Sequence, residues 1–367
     1  MPKLNIFWFR RDLRLHDNAG LYHALCSGHP VLPLFIFDRE ILDKLEDEDD
    51  ARVHFLHDTL SKMKSELEKQ GSSLLVRYGY PIEIWKELLQ QYDIEAVYTN
   101  RDYEPYAKER DGLVEELLTQ NGIAFRTFKD HVIFEGEEVT KQDGGTYTVF
   151  TPYSRRWKAR LAEEMATIAT ADGASTEISA HFKPYPVAEV RDNFIDTAPL
   201  PMPGLQDMGF KPSDLSVPPA TVSQGLIKKY DQTRDIPGIK GTSRLGIHFR
   251  FGTISIREKA RKAQQLNETF LNELIWRDFY AQILDQHPHV AHRSFRPKYD
   301  FIEWRNDEAE FKRWCEGTTR YPIVDAGMRE LNATGYMHNR VRMVTASFLT
   351  KHLLIDWRWG EAYFARK

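Results

Sequence analysis

Short apolar or β-branched runs recur through the first third of the chain: LNIFWF (4–9), VLPLFIF (31–37), SLLVRY (73–78) and EAVYT (95–99). Each has the length of a strand. Between them, residues 51–70, 81–92 and 105–120 repeat their apolar positions every three or four residues, the period of a helix. Buried strands that alternate with helices predict βαβ units on a parallel, Rossmann-like sheet.

The pattern then changes. EGEEVTKQDGGTYTVFTP (135–152) reads as a hairpin or loop, and the segments around KPYPVAEV and PLPMPGLQDMGFKPSDLSVPPA are proline-rich. Such a stretch suits a connector lying over the surface. From about residue 220 strand patterns vanish, and aromatic-rich helical patterns follow one another. A chain of 367 residues is too long for one ordinary core. The expected organisation is an α/β domain at 1–130, a connector at 131–215 and an all-α domain at 216–367.

Composition adds limits. No apolar run reaches the length that spans a membrane, and the first residues, MPKLNIFWFRRDLR, lack a signal-peptide pattern. The two cysteines, Cys26 and Cys315, are far apart, which argues against a disulfide framework or a zinc site and for a reducing, cytoplasmic setting. The net charge of −4 hides an asymmetry. Between residues 225 and 300 there are 14 Lys/Arg against 8 Asp/Glu, so the rest of the chain carries −10. A basic stretch on an acidic protein points to a confined anionic partner.

Candidate chemistry lies where charge interrupts an apolar period. In GYMHNRVRMVTASF (335–348), Met337, Val341, Val344 and Phe348 keep helical spacing while Asn339, Arg342 and Met343 form a second stripe, with Arg340 turned off it. Charges on such a face need partners. In NETFLNELIWRDFYAQIL (267–284), Glu273, Trp276, Arg277 and Tyr280 share one face, a stripe suited to stacking on a flat ligand and bonding its edge. Two such stripes imply a cavity between them. GTSRLGIHFRFG (241–252) offers Thr242 and Ser243 hydroxyls, the Arg244 guanidinium and backbone N–H groups to an anion, or an ordinary helix cap. FWFRRDLRLHDN (7–18) ends a buried strand in Arg10, Arg11, Asp12, Arg14 and Asp17. It could face a ligand beyond the strand's carboxyl end, but by spacing alone a salt-bridged strand terminus is favoured. HPHVAH (287–292) matches no usual ligand spacing, and no metal is expected.

Together these blocks resemble the DNA photolyase/cryptochrome family over nearly the whole chain. WFRRDLRLHDN looks like its opening signature, FTPYSRRW its connector element, and GTSRL, NELIWRDFY, YPIVDAGMREL and TGYMHNRVRMVTASFL its flavin-domain blocks. The resemblance implies an antenna-binding α/β domain and a helical FAD-binding domain. By position, Tyr230, Thr242, Ser243, Arg244, Leu245 and Gly246 would cradle the FAD phosphates and ribityl chain, and Arg277, Asn339 and Arg342 would line its flavin side. Gly246 departs from the family's usual serine. Arg234 and Arg340 resemble residues that grip the DNA backbone; Glu273, Trp276, Asn339 and Met343 resemble those that receive a flipped-out pyrimidine dimer. Trp357 and Trp304 would be the middle and outer members of an electron-transfer chain.

The expected function is light-driven repair of cyclobutane pyrimidine dimers in UV-damaged DNA by a monomer, with FAD as electron donor. The resemblance leaves room for a second antenna chromophore of folate or flavin type without identifying one; the glutamate used by folate-binding members is replaced around Ala107. A cryptochrome-type blue-light photoreceptor is the nearest alternative, although Asn339 and Met343 are retained where plant-type cryptochromes tend to replace them. A photolyase for (6-4) lesions would want a histidine pair, and only His338 is supplied. A flavin electron-transfer protein with no DNA role leaves Arg234 and Arg340 unexplained. The family's final block, which follows WRWGEAYFARK in its members, is missing, so the chain is expected to be a fragment whose own hold on FAD is weak.

Overall fold

A computed structural model describes residues 3–171 and 179–367; residues 172–178, inside the expected connector, lie outside the described residues. Five strands, β1 (Leu4–Phe9), β2 (Val31–Asp38), β3 (Leu75–Gly79), β4 (Ile94–Asn100) and β5 (Ala124–Phe128), form one parallel sheet in the order β3-β2-β1-β4-β5. All six residues of β1 are buried. Phe7 and Phe9 enter one apolar cluster, and Leu4, Ile6 and Trp8 the other, so helices cover both faces. The flanking helices are α1 (Ala19–Leu25), α2 (Arg39–Leu42), α3 (Ala51–Glu68), α4 (Pro81–Gln91) and α5 (Pro105–Gln120). Strand order reverses between β1 and β4, which opens a crevice beyond their carboxyl ends.

The stretch read as a connector is more ordered than a surface strap. It holds α6 (Phe150–Ala171), a helix of 22 residues. Phe150, Tyr153, Trp157 and Leu161 pack as a stripe against the helical domain. Farther on, Val187, Phe194, Met208 and Phe210 enter the sheet's own core, and the Ile195 N–H donates to the Val31 carbonyl at 2.9 Å. Proline punctuates this segment, but its apolar anchors set its path.

The helical region comprises α7 (Gln224–Lys228), α8 (Tyr230–Thr233), α9 (Gly246–Arg250), α10 (Ile256–Leu266), α11 (Glu268–Gln286), α12 (Glu308–Glu316), α13 (Pro322–Thr334), α14 (Asn339–Ser347) and α15 (Trp357–Arg366). Its apolar side chains gather in two clusters. One is built on α6 and α7–α11, the other on α12–α15. The loop from Arg234 to Leu245 touches α11 on one side and the start of α14 on the other. Polar side chains collect at that seam.

Candidate functional site

The charged end of β1 is a joint. Arg14 places Nη2 2.8 and 2.7 Å from the two carboxylate oxygens of Asp130, and Arg257 reaches the same carboxylate at 2.9 Å. Arg257 also bonds Asp17 at 2.9 Å, and Ser255 donates to Asp17. The Leu13 N–H donates to the Phe251 carbonyl at 3.0 Å, and Arg14 Nη1 to that of Gly252 at 3.0 Å. Gly252 has φ +63°, and a Cβ there would lie 2.1 Å from the Arg11 carbonyl oxygen, so only glycine lets the two backbones meet. Burial alone would raise the Asp130 carboxyl; Arg14 and Arg257 outweigh it and hold the group well below the usual carboxylate range. Beside it, burial first and then Arg11 push His131 down to about 3, which keeps its ring neutral. Arg11 itself bonds Asp102 at 2.8 Å and Glu104 at 3.0 Å. The salt-bridged terminus is the reading these distances support.

A second charged group lies at the seam of the two helical clusters. Arg234 pairs with Glu273 on α11 and donates to Asp235 at 3.3 Å; Arg340 on α14 donates to the same Asp235 at 2.9 Å. Three chain segments thus form one line, Glu273–Arg234–Asp235–Arg340. Tyr230 supports it from below. Its ring meets Phe270 edge-on at 5.1 Å, and its hydroxyl is pushed up to about 12 by burial and then by Glu273. On the next turns of α11, Trp276 stacks on Phe150 with centroids 3.6 Å apart and planes 6° from parallel, and Tyr280 lies 5.4 Å away with 61% of its surface exposed. The indole is therefore one layer of an aromatic stack whose outer member faces water. Arg277 leaves this stripe. It turns inward and donates to the His131 and Phe249 carbonyls at 2.9 and 3.2 Å, and burial lowers its guanidinium to about 10.

Around the TSR turn, Thr242 Oγ1 lies 2.8 Å from the Tyr336 hydroxyl, and Arg244, held at φ +51°, stacks its guanidinium 4.1 Å above the same ring. Leu245 is buried as an anchor, and Ser243 Oγ accepts weakly from the Leu245 N–H at 3.5 Å. A Cβ on Gly246 would meet nothing within 4 Å. Arg342 is half-buried, over the Phe364 ring at 5.0 Å, and burial lowers its guanidinium. Among the described residues neither Arg244 nor Arg342 has a carboxylate within salt-bridge distance. The Nε2 of buried His338 also lacks a partner. Two guanidinium groups short of counter-charge and an orphaned ring nitrogen fit the anionic end of a nucleotide cofactor.

Asn339 and Met343 are exposed on α14, the Asn339 amide 4.0 Å from the Met343 sulfur. Trp304 and Trp357 are half-buried on neighbouring segments, which two hydrogen bonds tie together: Arg305 N–H to the Leu354 carbonyl at 2.8 Å, and Asp356 N–H to Asn306 Oδ1 at 2.9 Å. Sequence reasoning missed Asp235, Tyr336 and Phe150. Asp235 directly follows Arg234, and Tyr336 sits inside GYMHN, so both had a signal; Phe150 had only its place on the α6 stripe.

A cavity of about 1030 Å³ opens at the carboxyl ends of β1 and β2, between Trp8, Asp38, Tyr106 and Arg110 on the sheet side and Gly246 and Tyr336 on the helical side. Arg110 lies 4.9 Å over the Trp8 ring, and the Tyr106 hydroxyl donates to Asp38 at 2.5 Å. Ala107 is part of its wall.

A doubly wound sheet domain joined by buried ion pairs to a helical domain with unpaired guanidinium groups defines a two-domain protein that binds a nucleotide cofactor. Comparison with known proteins narrows this. Residues 5–170 match the DNA photolyase family and residues 270–367 the FAD binding domain of DNA photolyase. The deoxyribodipyrimidine photo-lyase of Halobacterium salinarum is 36% identical over 399 residues, which cover 99% of this chain and 78% of that protein. An archaeal photolyase from Sulfolobus tokodaii, solved with two FAD molecules, superposes with a TM-score of 0.73 at 32% identity, covering 98% of this chain and 78% of the other. A Synechocystis cryptochrome shares the fold, with a TM-score of 0.81 at 24% identity over 99% of this chain and 78% of its own. The chain belongs to the DNA photolyase family of flavin-dependent DNA-repair enzymes. Among the described residues no helix is long and apolar enough to cross a membrane.

Proposed function

We propose that the protein repairs cyclobutane pyrimidine dimers in UV-damaged DNA. The observation that carries this reading is the line Glu273–Arg234–Asp235–Arg340, which joins a carboxylate beside an aromatic stack, through the largely buried Arg234, to the exposed guanidinium of Arg340. Arg340 and Arg234 would hold phosphates on either side of the lesion. Tyr280, the outer layer of the stack, with Trp276 behind it, offers an aromatic surface to an extruded dimer, whose damaged stacking makes extrusion cheaper. Glu273 hydrogen-bonds its edge. Asn339 and Met343 lie on the facing helix and complete the pocket wall.

Thr242, Ser243, Arg244 and Arg342 would hold the phosphates of FAD, with Leu245 and Tyr230 as the packed floor beneath them. Reduced FAD, when bound, supplies and takes back the single electron on which splitting of the cyclobutane ring depends. The remaining tasks fall to the chain: it orients the dimer and excludes water around it. Trp304 and Trp357 would pass electrons inward to restore the reduced cofactor. The sheet side of the cavity, at Trp8, Asp38, Tyr106 and Arg110, would take the second chromophore, of flavin or folate type, as the two FAD molecules of the Sulfolobus protein illustrate.

The test is illumination of a dimer-containing oligonucleotide with the reduced, FAD-loaded protein, followed by chromatography of the bases. Restored pyrimidines support repair. Light-dependent flavin changes with no repair would favour the photoreceptor reading, for which the Synechocystis likeness supplies the fold alone.

A further inference from the structure

The line at the seam contains one residue that the repair reading does not use. The Asp235 side chain is 52% exposed, yet a single oxygen, Oδ1, accepts from both Arg340 at 2.9 Å and Arg234 at 3.3 Å. The Arg340 side chain is itself 45% exposed, and among the described residues its guanidinium donates beyond Asp235 only toward the Met343 sulfur, 3.7 Å from Nη1. A carboxylate oxygen on the exposed Arg340 guanidinium, shared with Nε of Arg234, is the kind of partner that a phosphate oxygen would replace.

We infer that Asp235 is an intramolecular competitor for DNA phosphate, a brake that lowers the affinity of the protein for any DNA, damaged or not. The inference rests on the reading that Arg234 and Arg340 face the DNA backbone. Binding must either break the Asp235 pairs or leave a carboxylate beside a phosphate, and both weaken the complex. A phosphate contact carries no lesion information, so the brake acts equally on undamaged and dimer-containing duplex. It would shorten the time spent on undamaged and on repaired DNA without changing which DNA is preferred.

The experiment compares the parent chain with Asp235→Asn, Arg340→Ala and the double variant. Each is titrated against a labelled duplex with and without one thymine dimer, by fluorescence anisotropy, at several salt concentrations. Asp235→Asn should tighten both complexes by roughly two- to tenfold, the range spanned by one or two exposed ion pairs. The dimer-to-undamaged ratio should hold, and the gain should shrink at high salt. Arg340→Ala should weaken both complexes and lower the salt slope by about one. In the double variant most of the gain from Asp235→Asn should vanish. If Arg340→Ala weakens binding while Asp235→Asn leaves it unchanged or weaker, the brake is overturned and the DNA face stands. If neither Arg340→Ala nor Arg234→Ala alters affinity or slope, the DNA-face reading fails and the brake falls with it. Asp235→Ser is the second variant should the asparagine disturb folding, checked by its melting temperature.

Discussion

Replacing Asp130 by asparagine should reveal what holds the two domains together. The side chain is fully buried and takes hydrogen bonds from Arg14, Arg257 and the Ala19 N–H. An amide keeps the shape but only one acceptor oxygen, and it turns a new N–H donor toward guanidinium donors. Arg257 keeps Asp17 as a partner; Arg14, 4% exposed, keeps only the Asp17 and Gly252 carbonyls. Breaking a buried pair by removing one partner costs about 3–5 kcal/mol, because the charge left behind stays buried. The urea midpoint at neutral pH should fall accordingly, and limited proteolysis between residues 179 and 223 should speed up as the joint loosens. The pH dependence gives an independent check. Asp130 titrates lower in the folded state than its ordinary value of about 3.9, so its contribution is complete above that pH and is lost as pH falls toward the folded value. The gap between parent and variant should therefore be widest near neutrality and narrow below about pH 4. A variant within about 1 kcal/mol of the parent at neutral pH, with no narrowing in acid, would show that the joint is held by apolar packing instead.

Trp276→Ala should cut preference for dimer-containing duplex by about one to two orders of magnitude, from a stacking platform worth roughly 1–3 kcal/mol per base; flavin absorbance should stay, and an unchanged preference would make the indole packing for Phe150 alone. Glu273→Ala should lower the quantum yield of repair more than it lowers affinity, measured by yield per absorbed photon beside the binding titration. Trp304→Phe should slow photoreduction of oxidised flavin and spare repair by pre-reduced protein; collapse of the latter would make Trp304 structural. His131, pushed down to about 3 by burial, should make the folded state lose stability as pH falls from about 6.5 toward that value. His131→Gln should flatten that slope in urea titrations, and an unaltered slope would assign it to another group.

How much of this was legible depends on how far apart the interacting residues lie. Four strands of the sheet stood out because their burial is written in consecutive residues. β5, AFRTF, escaped notice because it is a half-exposed edge strand with polar residues at two of five positions. α6 was hidden by Pro152, which reads as a breaker yet sits in the first turn, where proline costs no hydrogen bond. The stripe on α11 was visible as a pattern, but its fate was not: Glu273 and Trp276 go to the seam while Arg277, one residue on, is drawn to carbonyls 146 and 28 positions away. The site is harder still. Arg234 meets Glu273 across 39 residues, and Arg340 meets Asp235 across 105; Arg14 meets Asp130 across 116 and Arg257 meets it across 127. Charge pairs at such separations leave no period along the chain. Arg14, Arg234, Glu273 and Arg340 were seen in sequence without these partners, Asp130, Asp235 and Arg257 were not singled out at all, and family resemblance supplied the roles for Arg234, Glu273 and Arg340. It supplied none for Asp235, because a carboxylate that weakens binding looks like any solvated acid until its two partners are placed around it.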